Sequence, residues 1–191
     1  MDTRLPPPLR SDRLELRPFV SSDRPAYEAY HSRPEVYRFL YQPVPDKHAL
    51  AEQFAACLQS RFEEDGDSLR LAVIRRADSA LLGEVLLKMA SKEALQAEIG
   101  YIFNPDFSGA GYATEAVRMM LDIGFSEYGF HRIFARLDPL NKGSVGVVER
   151  LRFRREALLL QNDRFNGVWG DEFIYALLKS EWEESALSVS S

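Results

Sequence analysis

The chain has 191 residues, enough for one domain whose core needs no disulfide or metal staple. A hydrophobic share of 46% and a charged share of 28% are those of a globular protein, and no apolar run is long enough to span a membrane. A net charge of −5 argues against nucleic acid as partner, and a single cysteine, Cys57, excludes an internal disulfide and fits a reducing cytoplasm.

The N-terminus lacks a signal-peptide core, and Pro6-Pro7-Pro8 marks an extended lead-in over residues 1–10. Residues 12–19 alternate and predict a strand. Ser21-Ser22-Asp23 predicts a helix cap, with the helix running to Ser32. Residues 34–45 are punctuated by proline and carry Tyr37, Phe39, Leu40 and Tyr41. Asp46 caps a second helix to Glu64, with Leu50, Phe54, Cys57 and Leu58 on one face, which makes Cys57 a core thiol rather than a nucleophile. Strands over 69–75 and 80–90 form a hairpin around Arg76–Ser79. A strand over 95–103 passes through Asn104-Pro105 into a glycine turn and a helix over 111–128, with Ala113, Val117, Met120, Leu121 and Gly124 as its buried stripe and Gly129 as its C-cap. A strand over 131–137, a helix over 141–151 and strands over 154–161 and 171–181 follow, then a polar, frayed tail over 183–191. Strands and helices mix without strict βαβ alternation, which predicts a mixed sheet in an α/β or α+β layer fold. His31, His48 and His131 have no metal-ligand spacing and no cysteine partners, so no metal is expected.

The most informative stretch is Phe107-Ser108-Gly109-Ala110-Gly111-Tyr112-Ala113-Thr114-Glu115-Ala116. Glycines stand where a strand hands over to a helix. Such a turn leaves backbone N–H groups without intrahelical partners, the helix dipole adds positive potential, and glycine permits close approach of a ligand. Together these features suit an anion such as a pyrophosphate. The run is neither a P-loop nor a dinucleotide fingerprint: no Lys-Ser/Thr follows it and it has no third glycine.

Ser108-Gly109-Ala110-Gly111-Tyr112-Ala113 resembles the acyl-CoA motif Arg/Gln-Gly-x-Gly-x-Ala/Gly of the GNAT N-acetyltransferases. Thr114-Glu115-Ala116 resembles the ribosomal-protein N-terminal acetyltransferase branch, of RimJ/RimL type. Ser11–Pro18 is similar to that branch's opening strand and Glu98-Ile99-Gly100-Tyr101 to its fourth. Asn141-x-x-Ser144 with Glu149–Phe153 is similar to its last helix, and Asp171 to Trp182 to its closing strand. The resemblance covers residues 11–182, the expected acyl-CoA N-acetyltransferase domain. It implies a mixed sheet of about seven strands flanked by helices, with central parallel strands that splay apart. Two positions depart from the pattern: Ser108 replaces the usual Arg or Gln, and Arg152 replaces a glycine before Phe153, where a positive φ would strain it.

The resemblance implies acetyl-CoA as cofactor and an amine as acceptor, in a monomer or homodimer without nucleic acid or membrane partners. Backbone at Ile102 and Phe103 would hold the acetyl carbonyl and the pantetheine arm. Ser108, Gly109, Ala110, Gly111, Tyr112, Ala113 and Thr114 would hold the pyrophosphate, with Tyr112 on the pantetheine or stapling the helix. One of Arg150, Arg152, Arg154 and Arg155, or Lys142, would meet the 3′-phosphate; a solvated basic run is the other reading. Amine attack on a thioester needs a base, oxyanion donors and an acid for the thiolate. Glu98 is the base candidate, through a water; a solvent-facing or salt-bridged strand carboxylate is its other reading. Many GNAT branches carry a tyrosine seven residues after the helix-opening asparagine, but here that residue is Val148. Ser144 is then the nearest hydroxyl for the sulfur, or a surface serine. Asn141 contacts the pantetheine or pyrophosphate region, caps its helix, or does both. The acceptor is expected to be a protein or peptide α-amine, with a small amine (aminoglycoside or polyamine) as the second class and a non-catalytic acyl-CoA sensor as the third. Specificity is expected from the 34–45 segment and a 162–170 loop with Phe165 and Trp169, whose aromatics line an acceptor groove or simply pack the loops.

Overall fold

A single mixed sheet organises the computed structural model, which describes residues 7–189, with side chains to Glu184. Residues 1–6 of the expected lead-in and 190–191 of the expected tail lie outside the described residues. The sheet has eight strands: β1 (Leu9–Arg10), β2 (Leu14–Arg17), β3 (Ser68–Arg75), β4 (Ala80–Ser91), β5 (Gln96–Phe103), β6 (Arg132–Leu137), β7 (Arg154–Phe165) and β8 (Val168–Leu178), in spatial order 1-2-3-4-5-6-8-7. The strand beyond the expected seven is β1, two residues pairing with Leu16 and Glu15, too short to leave a periodic pattern. All neighbours are antiparallel except β5 and β6.

Those two parallel strands pair only at Gln96–Arg132, Ala97–Ile133 and Glu98–Phe134. Beyond Glu98 they diverge, so the β6-facing edge of Ile99–Phe103 has no ladder partner among the described residues. The splay expected from the resemblance is therefore present.

Helices cover both faces of the sheet. One face carries α4 (Tyr112–Asp122) and α5 (Lys142–Arg150), whose Ala116, Val117, Met120, Val147 and Val148 join Leu69, Leu71, Val73, Val85 and Ile99 in the larger core. The other carries α1 (Arg24–His31), the one-turn α2 (Pro34–Tyr37) and α3 (Lys47–Cys57), whose Tyr27, Tyr30, Leu50 and Phe54 meet Ala72, Ile74 and Leu81. Cys57 is buried in this second core. Strand alternation thus feeds two cores from one sheet.

Local boundaries differ from expectation for physical reasons. Asp46 caps α3 through Ala49 N–H at 2.9 Å, but α3 stops at Cys57 and Phe62 re-enters the core from an irregular segment. Asp23 accepts from Arg17 at 2.7 and 2.8 Å and from Val20 N–H, so its carboxylate ties a turn to β2 instead of capping α1. The helix after the glycine turn finishes in a π-type turn over Ile123–Glu127. The expected tail is corrected: β8 ends at Leu178 and α6 (Lys179–Val189) follows, anchored where Trp182 Nε1 donates to Asp122 at 3.0 Å.

Arg152 has φ +64°, at the position just past α5 that glycine usually fills. Arg152→Gly is expected to stabilise the fold by about 1 kcal/mol, roughly 3 °C in Tm, read by thermal unfolding. An unchanged or lower Tm would show that this turn carries no strain.

Candidate active site

The splay, the glycine turn and the start of α5 converge on one side of β5. Asn104 accepts from Asp106 N–H at 3.1 Å and opens a short turn over Pro105–Phe107. The chain then reverses through Gly109 (φ +79°) and Gly111 (φ +80°), conformations that a side chain would strain. Gly111 is the N-cap of α4, and its carbonyl receives the N–H of Glu115 at 3.1 Å. Helix geometry leaves the N–H groups of Tyr112, Ala113 and Thr114 without intrahelical partners, beside exposed Ser108, Gly109 and Ala110. This is an anion cradle in shape and potential.

Ser108 brings no charge to the cradle, but two guanidinium groups stand near it. Arg13 donates to the Ala110 carbonyl at 3.0 Å, pairs with Glu115 and lies over the Tyr112 ring. Arg150 reaches Thr114 Oγ1 at 3.4 Å from α5. Of the basic run, then, Arg150 is the member at the helix N-terminus. Arg154 pairs with Glu156 and Glu181, and Arg155 lies over Phe173.

At the mouth of α5, Asn141 Oδ1 accepts from Ser144 N–H at 3.1 Å and caps the helix. Tyr101 Oη donates to the Ser144 carbonyl at 3.0 Å, which ties β5 to α5 across the splay. Burial raises the Tyr101 pKa. Val148 is fully buried and has no proton to give. Ile102 and Phe103, paired with β4 but not with β6, come directly before the turn that leads to the glycines.

Glu98 sits at the last paired residue before the strands part. It is half-buried, and burial raises its pKa; Arg136 and Lys88 oppose the shift, and Glu172 adds to it. Arg136 and Glu172 form a two-pronged pair at 2.9 and 3.0 Å, and Asn162 Nδ2 also donates to Glu172 at 2.8 Å. Glu98 therefore faces a charge pair that is already satisfied.

A sequence model of the acetyltransferase (GNAT) domain matches residues 13–154. The chain belongs to the GNAT acetyltransferase family. YnaD of Bacillus subtilis (strain 168), an uncharacterized N-acetyltransferase, is 30% identical over 174 residues, 91% of this chain and 98% of YnaD. A GNAT-family acetyltransferase from Bacillus anthracis superposes with a TM-score of 0.82 at 28% identity, covering 91% of this chain and 99% of that one. Mycobacterium smegmatis RimJ, solved in complex with CoA-disulfide, gives a TM-score of 0.76 at 25% identity, over 92% and 87% of the two chains. This GNAT protein is an N-acetyltransferase that uses acetyl-CoA. The cradle and the unpaired β5 edge fit that cofactor: one offers N–H groups to phosphates and the other offers backbone to a pantetheine arm.

The 162–170 region is not a loop. β7 and β8 run into a two-residue turn at Asn166-Gly167, and Trp169 is 54% exposed against Arg164. What meets this hairpin is Tyr41 from the 34–45 segment. A Cβ at Gly170 would collide with the Tyr41 ring, and Tyr41 Oη donates to Asp138 at 2.7 Å. Two candidate site residues, Arg13 and Tyr101, stand outside the sequence motifs' expected roles. Arg13 acts across about a hundred residues of sequence, which no local pattern reveals. Tyr101 had a signal: three residues from Glu98, it must lie on the opposite face of the same strand.

Among the described residues, no group of three His, Cys, Asp or Glu stands close enough to hold a metal, and no helix is long and apolar enough to cross a membrane.

Proposed function

We propose that this GNAT enzyme acetylates a weakly basic primary amine by direct attack, with Glu98 taking the amine proton through a water. The observation that carries this is a half-buried carboxyl of raised pKa at the residue where β5 and β6 part. Backbone of Ile102 and Phe103 receives the acetyl carbonyl and pantetheine. The N–H groups from Ser108 to Thr114, with Arg13 and Arg150, receive the phosphates. Asn141 orients the arm, and Ser144 hydrogen-bonds the sulfur. Acetyl-CoA supplies the activated acyl group.

Magnitude narrows the acceptor. An α-amine with pKa near 7.7–8.0 needs about 1 kcal/mol to be neutral at pH 7, whereas a lysine amine near 10.4 needs roughly 4.6 kcal/mol. One carboxylate base suits the first. A protein or peptide N-terminus meets this condition and accords with the RimJ/RimL resemblance. A small amine of lowered pKa also meets it, and one observation favours it: the Tyr41–Asp138 bond ties the 34–45 segment to the residue after β6 instead of leaving it free for a long chain.

The test is release of CoA thiol at pH 7 with an alanine-initiated peptide, an Nα-blocked lysine peptide, a polyamine and an aminoglycoside. Turnover of weakly basic amines but not of blocked lysine is expected. Stabilisation by acetyl-CoA without thiol release from any of them would make the chain a sensor and end the catalytic reading.

A further inference from the structure

A cavity of about 500 Å³ lies between α2 and α3 and the sheet face opposite α4. Tyr27, His31, Tyr37, Gln53, Arg70 and Glu84 line it, and Ile102 closes the side nearest the splay. Most of this lining is polar, in a region otherwise packed by an apolar core.

The floor is a charged residue on a central strand. Glu84 is completely buried and is held by Arg70 from β3 through one oxygen, Oε1. Its other oxygen, Oε2, is buried with no hydrogen-bond partner, and so is His31 Nε2. His31 Nδ1 is engaged with Tyr37 Oη at 2.7 Å, and its Nε2 lies 3.7 Å from Glu84 Oε1. Burial, with Arg70 nearby, lowers the His31 pKa to about 3, so the ring is neutral. Buried polar atoms are nearly always partnered, and a carboxylate oxygen can only accept. For Glu84 Oε2 the missing partner is therefore a donor, an N–H or an O–H; His31 Nε2 is an acceptor too in the tautomer whose Nδ1–H donates to Tyr37 Oη while that hydroxyl donates on to Gln53 at 3.5 Å.

The register places this donor near the chemistry. Glu84 is the cross-strand partner of Ile102, so their Cβ atoms stand about 5 Å apart. Glu98, Gly100 and Ile102 share one face of β5. Gly100, between the other two, has no side chain, and Leu86 of β4 packs over it, so the face between Glu98 and Ile102 is apolar.

We infer that this cavity receives the far end of a small acceptor bearing a second donor group, amino or hydroxyl, hydrogen-bonded by Glu84 Oε2 and His31 Nε2 while the first amine reacts at the splay. This rests on the small-amine reading above.

The test uses three probes that share a four-carbon chain: butylamine, 4-amino-1-butanol and 1,4-diaminobutane. Each is titrated calorimetrically into the CoA-bound full chain, and turnover with acetyl-CoA is followed in parallel at raised pH, where amines as basic as lysine are partly neutral. The donor-bearing pair is expected to bind at least about tenfold more tightly than butylamine, the scale of one hydrogen bond to a charged group. The two of them separate the sources of the donor: a preference within the pair tells amino from hydroxyl. Glu84→Gln leaves Arg70 without its counter-charge, so a fold-preserving second variant, Glu84→Leu with Arg70→Leu, replaces the ion pair by apolar side chains. In both variants the preference over butylamine is expected to vanish while CoA still raises Tm. Equal binding of all three probes, no binding of any, or a preference that survives both variants would overturn the inference. Turnover without preference overturns the inference alone; binding preference without turnover of any amine overturns the acetyltransferase reading instead.

Discussion

Gly111→Val is expected to abolish stabilisation by acetyl-CoA. In the native chain, a ligand at a hundred times its Kd adds about 2.7 kcal/mol, roughly 5–11 °C in Tm for a protein of this size. The residue has φ +80° and caps α4, so a β-branched side chain must either strain the backbone or rebuild the turn that presents the Tyr112–Thr114 N–H groups. Both outcomes spoil the anion cradle. The strain alone also lowers the ligand-free Tm, so a matched control is needed. Gly129 has φ +67° with nothing within 4 Å of a built Cβ. Gly129→Val should show a similar loss of ligand-free stability and keep the acetyl-CoA shift. A Gly111→Val chain with a full shift would remove the glycine turn from the cofactor site.

Glu98→Gln is expected to cut kcat/KM by about a hundredfold or more near neutrality, the ordinary weight of a general base. The pH dependence is the sharper readout. Burial raises the Glu98 pKa, so the carboxylate is protonated at a higher pH than an exposed glutamate would be. Native turnover should then fall as pH falls through that raised value, in addition to the fall caused by protonation of the amine. In Glu98→Gln the first limb disappears and only the amine's own titration is left. At high pH the amine is already neutral and the deficit narrows. The apparent KM for acetyl-CoA should not move. A deficit of constant size across pH would mean that Glu98 is not the base.

The order of elements was legible because each leaves a local mark: the alternation over residues 12–19, the stripe of Val117, Met120 and Leu121, the cap at Asp46, the double glycine before Tyr112. The glycine turn and the helix start after it were legible for the same reason, since both lie within six residues. What escaped was set by distance along the chain. Arg13 meets Ala110 and Glu115 only after β2 has been placed beside α4, and Tyr41 meets Asp138 across half the molecule. The apparent loop over 162–170 escaped because its polar residues resemble a turn. A hairpin needs only two turn residues, and Asn166-Gly167 supply them, both at positive φ. The Glu84 cluster escaped because a lone glutamate in an apolar strand gives no sign of its partner, here Arg70 on the neighbouring strand.

The three-residue contact between β5 and β6 has a mechanical meaning. β1 to β5 form a meander of sequential neighbours, and β6, β8 and β7 form a second block joined to it through three pairs and the helices packed across them. A sheet so divided is stiff along each block and soft at the seam. A pantetheine arm along the bare edge of β5, as proposed above, would supply rungs that the backbone leaves out, and the cofactor would then also be a structural splint.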